Sequence, residues 1–222
     1  KRAGELKPGW EPPALMQAQT LAKNSRTDAL AFMKGFLERF PDARDVRLSY
    51  ARMLVSDNQL AEAGPHFSRL SEEQPHNAEI ALAAGLLYLQ ISKVDEAETL
   101  LTRAVELGRN KSGRRDGHTA RYYLGQLLES RKQVDKAMDQ YRAITTGDYY
   151  VPAKIRLAVL LGRQGKRAEA RAELKAVTPG NETQRAQLTL AEADLMREAK
   201  EHDAAFALLD AAVKASPDNA EL

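Results

Sequence analysis

HNAEIALAAGLLYLQISKVDEAETLLTRAVELG, residues 76–108, holds two apolar segments that a short polar turn separates. In the first segment Gly85 stands twelve residues before Ala97 in the second. Leu101 and Ala104 follow that alanine at four and seven residues, so all three share one helix face. The stretch therefore predicts two antiparallel helices whose small residues let the helices approach closely.

The same pattern recurs along the whole chain. Six alanines, called here the signature alanines, are separated by 34, 34, 40, 33 and 35 residues: Ala29, Ala63, Ala97, Ala137, Ala170 and Ala205. Four residues after each comes a bulky residue: Met33, Phe67, Leu101, Tyr141, Leu174 and Leu209. Twelve residues before five of them comes a small one: Ala51, Gly85, Gly125, Ala158 and Ala193. A larger side chain at these small positions would overpack the contact, typically at ~1–3 kcal/mol.

Proline closes three of the repeats, at Pro41, Pro75 and Pro217, where it cannot continue a helix. A repeat of about 34 residues that carries these small, bulky and proline positions resembles the tetratricopeptide repeat (TPR). The resemblance implies an all-α fold, a right-handed α-solenoid of about six helix–turn–helix repeats and about twelve helices. The aromatic residue usual in the family sixteen positions before the alanine is absent, and these residues stand there: Arg47, Ala81, Arg121, Lys154 and Thr189.

The repeats predict one short segment and one array. Residues 1–12, rich in Pro and Gly, are expected to be extended. Residues 13–222 are expected to form a single solenoid, with repeats at about 13–41, 42–75, 76–109, 118–150, 151–183 and 184–217. Residues 218–222 resemble the start of a further repeat, so we expect the native array to continue. An insertion at 108–117 is predicted to be a surface loop with four basic residues: Arg109, Lys111, Arg114 and Arg115.

Composition and motifs argue against a catalytic site, a metal site and nucleic-acid binding. The net charge of +2 gives the chain no general attraction to nucleic acid or anionic lipid. Its lack of cysteine excludes disulfides, thiolate zinc sites and thiol nucleophiles. The four histidines are not spaced as helical zinc ligands, and no phosphate-binding or nucleophile motif occurs. We expect no catalytic residue, metal or cofactor, no membrane contact from this segment and no nucleic-acid partner, although the basic loop leaves phosphate contact as an alternative.

In TPR solenoids the first helix of each repeat lines the concave side, where the family binds peptides or partner helices. The resemblance therefore implies a partner-binding surface at the exposed first-helix positions, among them Leu48, Arg52, Leu82, Leu86, Leu89, Tyr122, Gln126, Ile155, Val159 and Arg163. An exposed apolar strip of this kind tends to mark a binding site. The alternative is that its apolar members only pack against neighbouring helices.

Three runs carry a closer resemblance: RFPDARDVRLSYARMLV at 39–55, and the stretches 121–166 and 190–222. They are similar to TPR lipoproteins of proteobacterial outer membranes, some of which tether a periplasmic carboxyl-terminal processing protease and present its substrates. That resemblance implies a non-catalytic adaptor, located in the periplasm and anchored to the outer membrane in the full-length protein.

Other interpretations stay open. The chain could be the recognition arm of a larger enzyme, such as a glycosyltransferase, with its catalytic domain outside this segment. It could also self-associate through the uncapped end of the array, and a cytoplasmic location is the alternative to the periplasm.

Overall fold

The computed structural model describes residues 9–109, 117–217 and 219. Over these residues the chain is all-α, with twelve helices and no strand, which confirms the predicted fold class. The chain divides into two compact units, 1–112 and 113–222. The boundary falls inside the insertion at 108–117, where the connection between consecutive helices is longest. The single array at 13–222 stays a prediction.

Within residues 9–109 the first unit contains three antiparallel helix pairs. The helices are α1 (Glu11–Ala22), α2 (Arg26–Arg39), α3 (Arg44–Ser56), α4 (Leu60–Glu73), α5 (Ala78–Gln90) and α6 (Val94–Arg109). Each odd-numbered helix packs on the next helix of its own pair, and α2 packs on α3 as α4 packs on α5. The pairs are thus stacked in sequence order, as in a repeat protein.

The second unit repeats this arrangement within residues 117–217. Its helices are α7 (His118–Ser130), α8 (Val134–Arg142), α9 (Tyr150–Arg163), α10 (Arg167–Lys175), α11 (Glu182–Glu198) and α12 (His202–Ala215). The pairs α7/α8, α9/α10 and α11/α12 pack internally, and α9 also contacts α8 and α11. In both units, therefore, the first helix of one repeat packs on the second helix of the repeat before it.

The start of α1 corrects one predicted boundary. Residues 1–12 were expected to be extended, but the helix begins at Glu11. Pro12 lies in its first turn, where a residue without a backbone N–H is tolerated because that group has no helical acceptor. Residues 1–8 lie outside the described part of the chain. The Glu11 carboxylate also accepts a bond from the Val46 amide at 2.9 Å, and so caps α3, whose own N-cap residue has no capping side chain.

Tight turns join the two helices of a pair, and five of them use the same backbone conformation. One residue in each has positive φ: Asn58, Ser92, Lys132, Gly165 and Lys200. The amide after it then bonds back to a carbonyl five residues earlier, as Gln59 does to Leu54 at 2.8 Å. Two of these turns lie at residues 56–59 and 163–166.

The small residues lie at the closest contacts between paired helices. Five signature alanines are completely buried, and Ala205 is 8% exposed. A Cβ atom added to Gly125 would lie 2.6 Å from Cε1 of Tyr141, and one added to Gly85 would lie 2.9 Å from Cγ of Leu101. These distances are shorter than a normal contact, which confirms that a small residue is required there.

Candidate partner-binding faces

The predicted binding residues lie on the accessible side of the first helices. All ten are half-buried or exposed, and none belongs to the core. The core residues of the same helices, such as Tyr50, Ala84 and Leu157, point into the helix pairs. The accessible sides of α3 and α5 are called here the unit-one face, and those of α7 and α9 the unit-two face. The role of these ten residues in binding stays a prediction.

The unit-one face is apolar on α5 and charged on α3. Leu82, Leu86 and Leu89 are half-buried and lie one helical turn apart from one another. On α3, Leu48 is half-buried and Arg52 is exposed. The Arg52 guanidinium lies 3.7 Å from the carboxylate of Glu79 on α5, so this ion pair joins the two helices on their exposed surface.

The unit-two face begins with a cluster of three half-buried tyrosines. Tyr122 and Tyr123 are neighbours on α7, and Tyr149 comes directly before α9. The ring centroids of Tyr122 and Tyr149 are 4.7 Å apart, and that of Tyr123 is 5.7 Å from each of them at a steep angle. Such tilted and edge-to-face pairs are the arrangements that aromatic rings prefer. The cluster therefore offers a preorganised aromatic surface.

One phenol of the tyrosine cluster, that of Tyr149, has a raised pKa. The Tyr149 hydroxyl donates to the Tyr123 hydroxyl at 3.3 Å. This bond, together with burial, raises the pKa of Tyr149 to about 12. Tyr149 consequently stays protonated at physiological pH and keeps a polar hydroxyl, while its ring supplies apolar contact area.

The other end of the unit-two face is ionic. The carboxylate of Glu129, seven residues after Tyr122 on α7, accepts a bond from the Tyr141 hydroxyl at 3.2 Å. Arg156 and Arg163 of α9 approach its other oxygen to 3.4 and 3.9 Å. Glu129 also contributes, after burial, to raising the pKa of Tyr141. Three of the predicted residues, Gln126, Ile155 and Val159, are half-buried on these two helices.

Sequence reasoning missed part of this arrangement. Tyr123, Tyr149 and Arg156 were not among the predicted residues, although five of the seven tyrosines lie between residues 122 and 150. That enrichment is the signal that could have pointed to the cluster. Tyr149 lies in the connection before α9, outside the repeat register that selected the other positions.

Over the described residues nothing indicates a metal or membrane site. No group of three or more His, Cys, Asp or Glu side chains there is placed to hold a metal ion. In the same part of the chain, every helix is too short or too polar to cross a bilayer. Of the basic loop, Lys111, Arg114 and Arg115 lie outside the described residues, as does the side chain of Arg109.

The family model for the tetratricopeptide repeat matches residues 15–78, 82–149 and 155–220, which covers most of the chain. The chain belongs to the tetratricopeptide repeat family. The TPR match and the all-α fold are together those of a protein-interaction scaffold.

Several solved structures share the fold. A TPR protein from Parabacteroides merdae superposes with a TM-score of 0.69 at 15% identity, covering 93% of this chain and 79% of its own. YrrB, reported as a TPR protein with an unusual peptide-binding site, gives 0.63 at 20% identity and covers 85% and 94%. MamA gives 0.63 at 20% identity and covers 71% and 90%.

Among curated proteins, the mitochondrial import receptor subunit TOM70 of Rattus norvegicus is 27% identical over 127 residues. TOM70 of Mus musculus matches to the same degree. The aligned part covers 55% of this chain and 20% of TOM70, so the chain spans only about a fifth of that relative's length.

Proposed function

We propose that this TPR protein is a non-catalytic adaptor that holds protein partners against the first-helix faces. The observation that carries the proposal is that each repeat has a buried side and an accessible side. The signature alanines are buried, whereas all ten residues selected by register on the first helices remain accessible to a partner. Tyrosine and arginine side chains often dominate the binding energy of protein interfaces, and the contacts around them exclude water. The peptide-binding site named for YrrB lies on the same fold and supports the proposal.

In its finer form the partner is a periplasmic carboxyl-terminal processing protease together with its substrates. The support for this is the resemblance of the runs at 39–55, 121–166 and 190–222 to outer-membrane TPR lipoproteins. Location in the periplasm, with an anchor in the outer membrane, belongs to the same proposal. Binding of the purified protease to the immobilised chain tests it, and absence of binding at micromolar concentrations would remove the protease from the proposal.

The face assignment is tested separately, by pull-down with a variant that combines Leu86→Glu with Tyr122→Ala. We expect the variant to lose the partners that the unmodified chain retains, since it alters one accessible residue in each unit. The matched control combines Ala61→Glu with Ala172→Glu, which changes exposed residues on the second helices α4 and α10. Equal recovery by both variants would show that partners bind elsewhere.

A further inference from the structure

The unit-two face combines the tyrosine cluster with an unbalanced ionic centre. Among the described residues, Arg156 and Arg163 pair with one carboxylate, that of Glu129. The 3.9 Å distance from Arg163 is long for a hydrogen bond, although it is within the range of an ion pair. Two guanidinium groups carry ten N–H donors, so one carboxylate leaves most of them facing solvent.

Two further carboxylates lie near this end of α9. Asp135 of α8 accepts a bond from the Gln164 side chain at 3.1 Å, and the Glu198 carboxylate of α11 lies beside Gly162. Lys154 is the third basic residue of α9, and its ammonium binds the Glu173 carboxylate at 2.5 Å. On α11, Asp194 pairs with Arg197 at 2.9 Å. The side chains of Arg156 and Arg163 are 46% and 64% exposed, whereas that of Glu129 is 17% exposed. At this centre the two guanidinium groups are therefore more exposed to a partner than the carboxylate they share.

One helix, α7, sets the distance between the tyrosine cluster and the ionic centre of the unit-two face. Tyr122 and Glu129 are seven residues apart on α7, which corresponds to a rise of about 10 Å. An extended peptide covers that distance with about three residues. An apolar side chain on the tyrosines and an acidic side chain on the arginines would then belong to one segment of chain.

Resting on the proposed protein-binding function, we propose that the unit-two face binds an extended peptide segment with an aromatic or large aliphatic residue and, three positions away, an acidic residue. The apolar side chain packs on Tyr122, Tyr123 and Tyr149. The carboxylate binds between Arg156 and Arg163, where it supplies the second anion that these two guanidinium groups lack. The rigid rings lose little conformational freedom on binding, which favours a short segment.

The test uses the full chain, labelled with ¹⁵N, and three synthetic peptides whose termini are blocked. The probe is acetyl-GSGFSSESG-amide, which carries Phe and Glu three positions apart. The second peptide replaces that Glu with Gln, and the third moves the Glu next to the Phe, as acetyl-GSGFESSSG-amide. Amide chemical shifts are followed during titration, because they report both the affinity and the position of weak binding.

We expect the probe to shift amides of α7 and the start of α9, with a dissociation constant about five-fold lower than that of the Gln peptide. Five-fold corresponds to about 1 kcal/mol, the upper end for an exposed ion pair. In a variant that combines Arg156→Gln with Arg163→Gln, this preference should disappear while the Gln peptide still binds. The control combines Lys136→Gln with Arg142→Gln, which removes two exposed charges from α8 and should preserve the preference.

The outcomes separate this inference from the proposed function. Equal affinity for the Glu and Gln peptides, or no advantage of the three-residue spacing, would overturn the peptide assignment and leave the adaptor function in place. Absence of any shift on the unit-two face at millimolar peptide would also overturn it, because the tyrosine cluster would then bind no apolar side chain.

Discussion

The ammonium of Lys154 donates to the carboxylate of Glu173 at 2.5 Å, across the helix pair α9/α10. The same separation of nineteen residues joins Arg47 to His66 and Arg121 to Gln140, at 3.3 Å in both cases. In the third repeat the equivalent residues are Ala81 and Leu100, and both are buried. Where the family usually places an aromatic residue, this chain thus uses either a polar contact or an apolar one between the paired helices.

The Lys154–Glu173 contact can be replaced by its apolar equivalent. We expect Glu173→Leu alone to lower the free energy of unfolding by about 1–2 kcal/mol, because the half-buried ammonium loses its partner. Adding Lys154→Ala reproduces the Ala81–Leu100 pair and should recover part of that loss. Urea denaturation of the single and double variants measures the coupling, and strictly additive effects would show that the contact is unimportant.

Gly125 should not tolerate a methyl group. The added Cβ of Gly125→Ala would lie 2.6 Å from Cε1 of the buried Tyr141 ring, so we expect a loss of about 1–3 kcal/mol in the free energy of unfolding. Gly35→Ala is the control, since no atom lies within 4 Å of its added Cβ, and it should be neutral or stabilising.

The loss at Gly125 should be smaller once Tyr141 is leucine. The double variant Gly125→Ala with Tyr141→Leu reproduces the residues Ala158 and Leu174, which occupy the equivalent positions in the fifth repeat. We therefore expect Gly125→Ala to cost less in the Tyr141→Leu background than in the native one. An equal cost in both backgrounds would mean that the ring is not what excludes the methyl group.

The turn between α9 and α10 should be more stable with glycine than with alanine. Gly165 has a φ of 78°, where any other L residue is strained, so Gly165→Ala should lower the free energy of unfolding by about 1 kcal/mol. Lys132 occupies the equivalent turn of the preceding repeat at a φ of 60°, and Lys132→Gly should for the same reason be neutral or stabilising. Thermal denaturation of both variants measures whether each substitution raises or lowers stability. A stabilising Gly165→Ala would refute the prediction.

Stability should fall at mildly acidic pH because of His66. Burial and the neighbouring Arg47 guanidinium lower the pKa of His66 below the ordinary histidine value of 6.5. The unfolded chain therefore takes up the proton more readily than the folded one, and stability is lost as the pH falls from about 6.5 toward the lower folded pKa. His66→Gln should reduce the change of melting temperature with pH over this range. His202→Gln, at an exposed position, should leave that change as it is in the unmodified chain.

The repeat architecture could be predicted from the sequence because it depends on side chains that recur at short, regular spacing. Ala97, Gly85 and Leu101 specify one helix pair by their spacing alone. The structure places Leu101 against Gly85 and buries Ala97 completely. The division into two units follows from contacts across the whole chain, which no single motif encodes.

The binding faces were predictable in part for a related reason. Register identified Tyr122 and Arg163 as accessible. It had no means to find Tyr149, which reaches Tyr122 from a connection rather than from a repeat position. Similarly, Arg156 lies one residue beyond the selected Ile155, and only the contact with Glu129 shows that its side chain belongs to the face.

The most direct test of the adaptor account is site-specific photo-crosslinking in cells. The crosslinking residue p-benzoylphenylalanine would replace Leu86 or Tyr122 on the first-helix faces, and Ala61 or Ala172 on the second helices. The account predicts that a partner is captured at Leu86 or Tyr122 and that the second-helix positions capture it far less. Capture mainly at Ala61 and Ala172, with none at the first-helix positions, would contradict it.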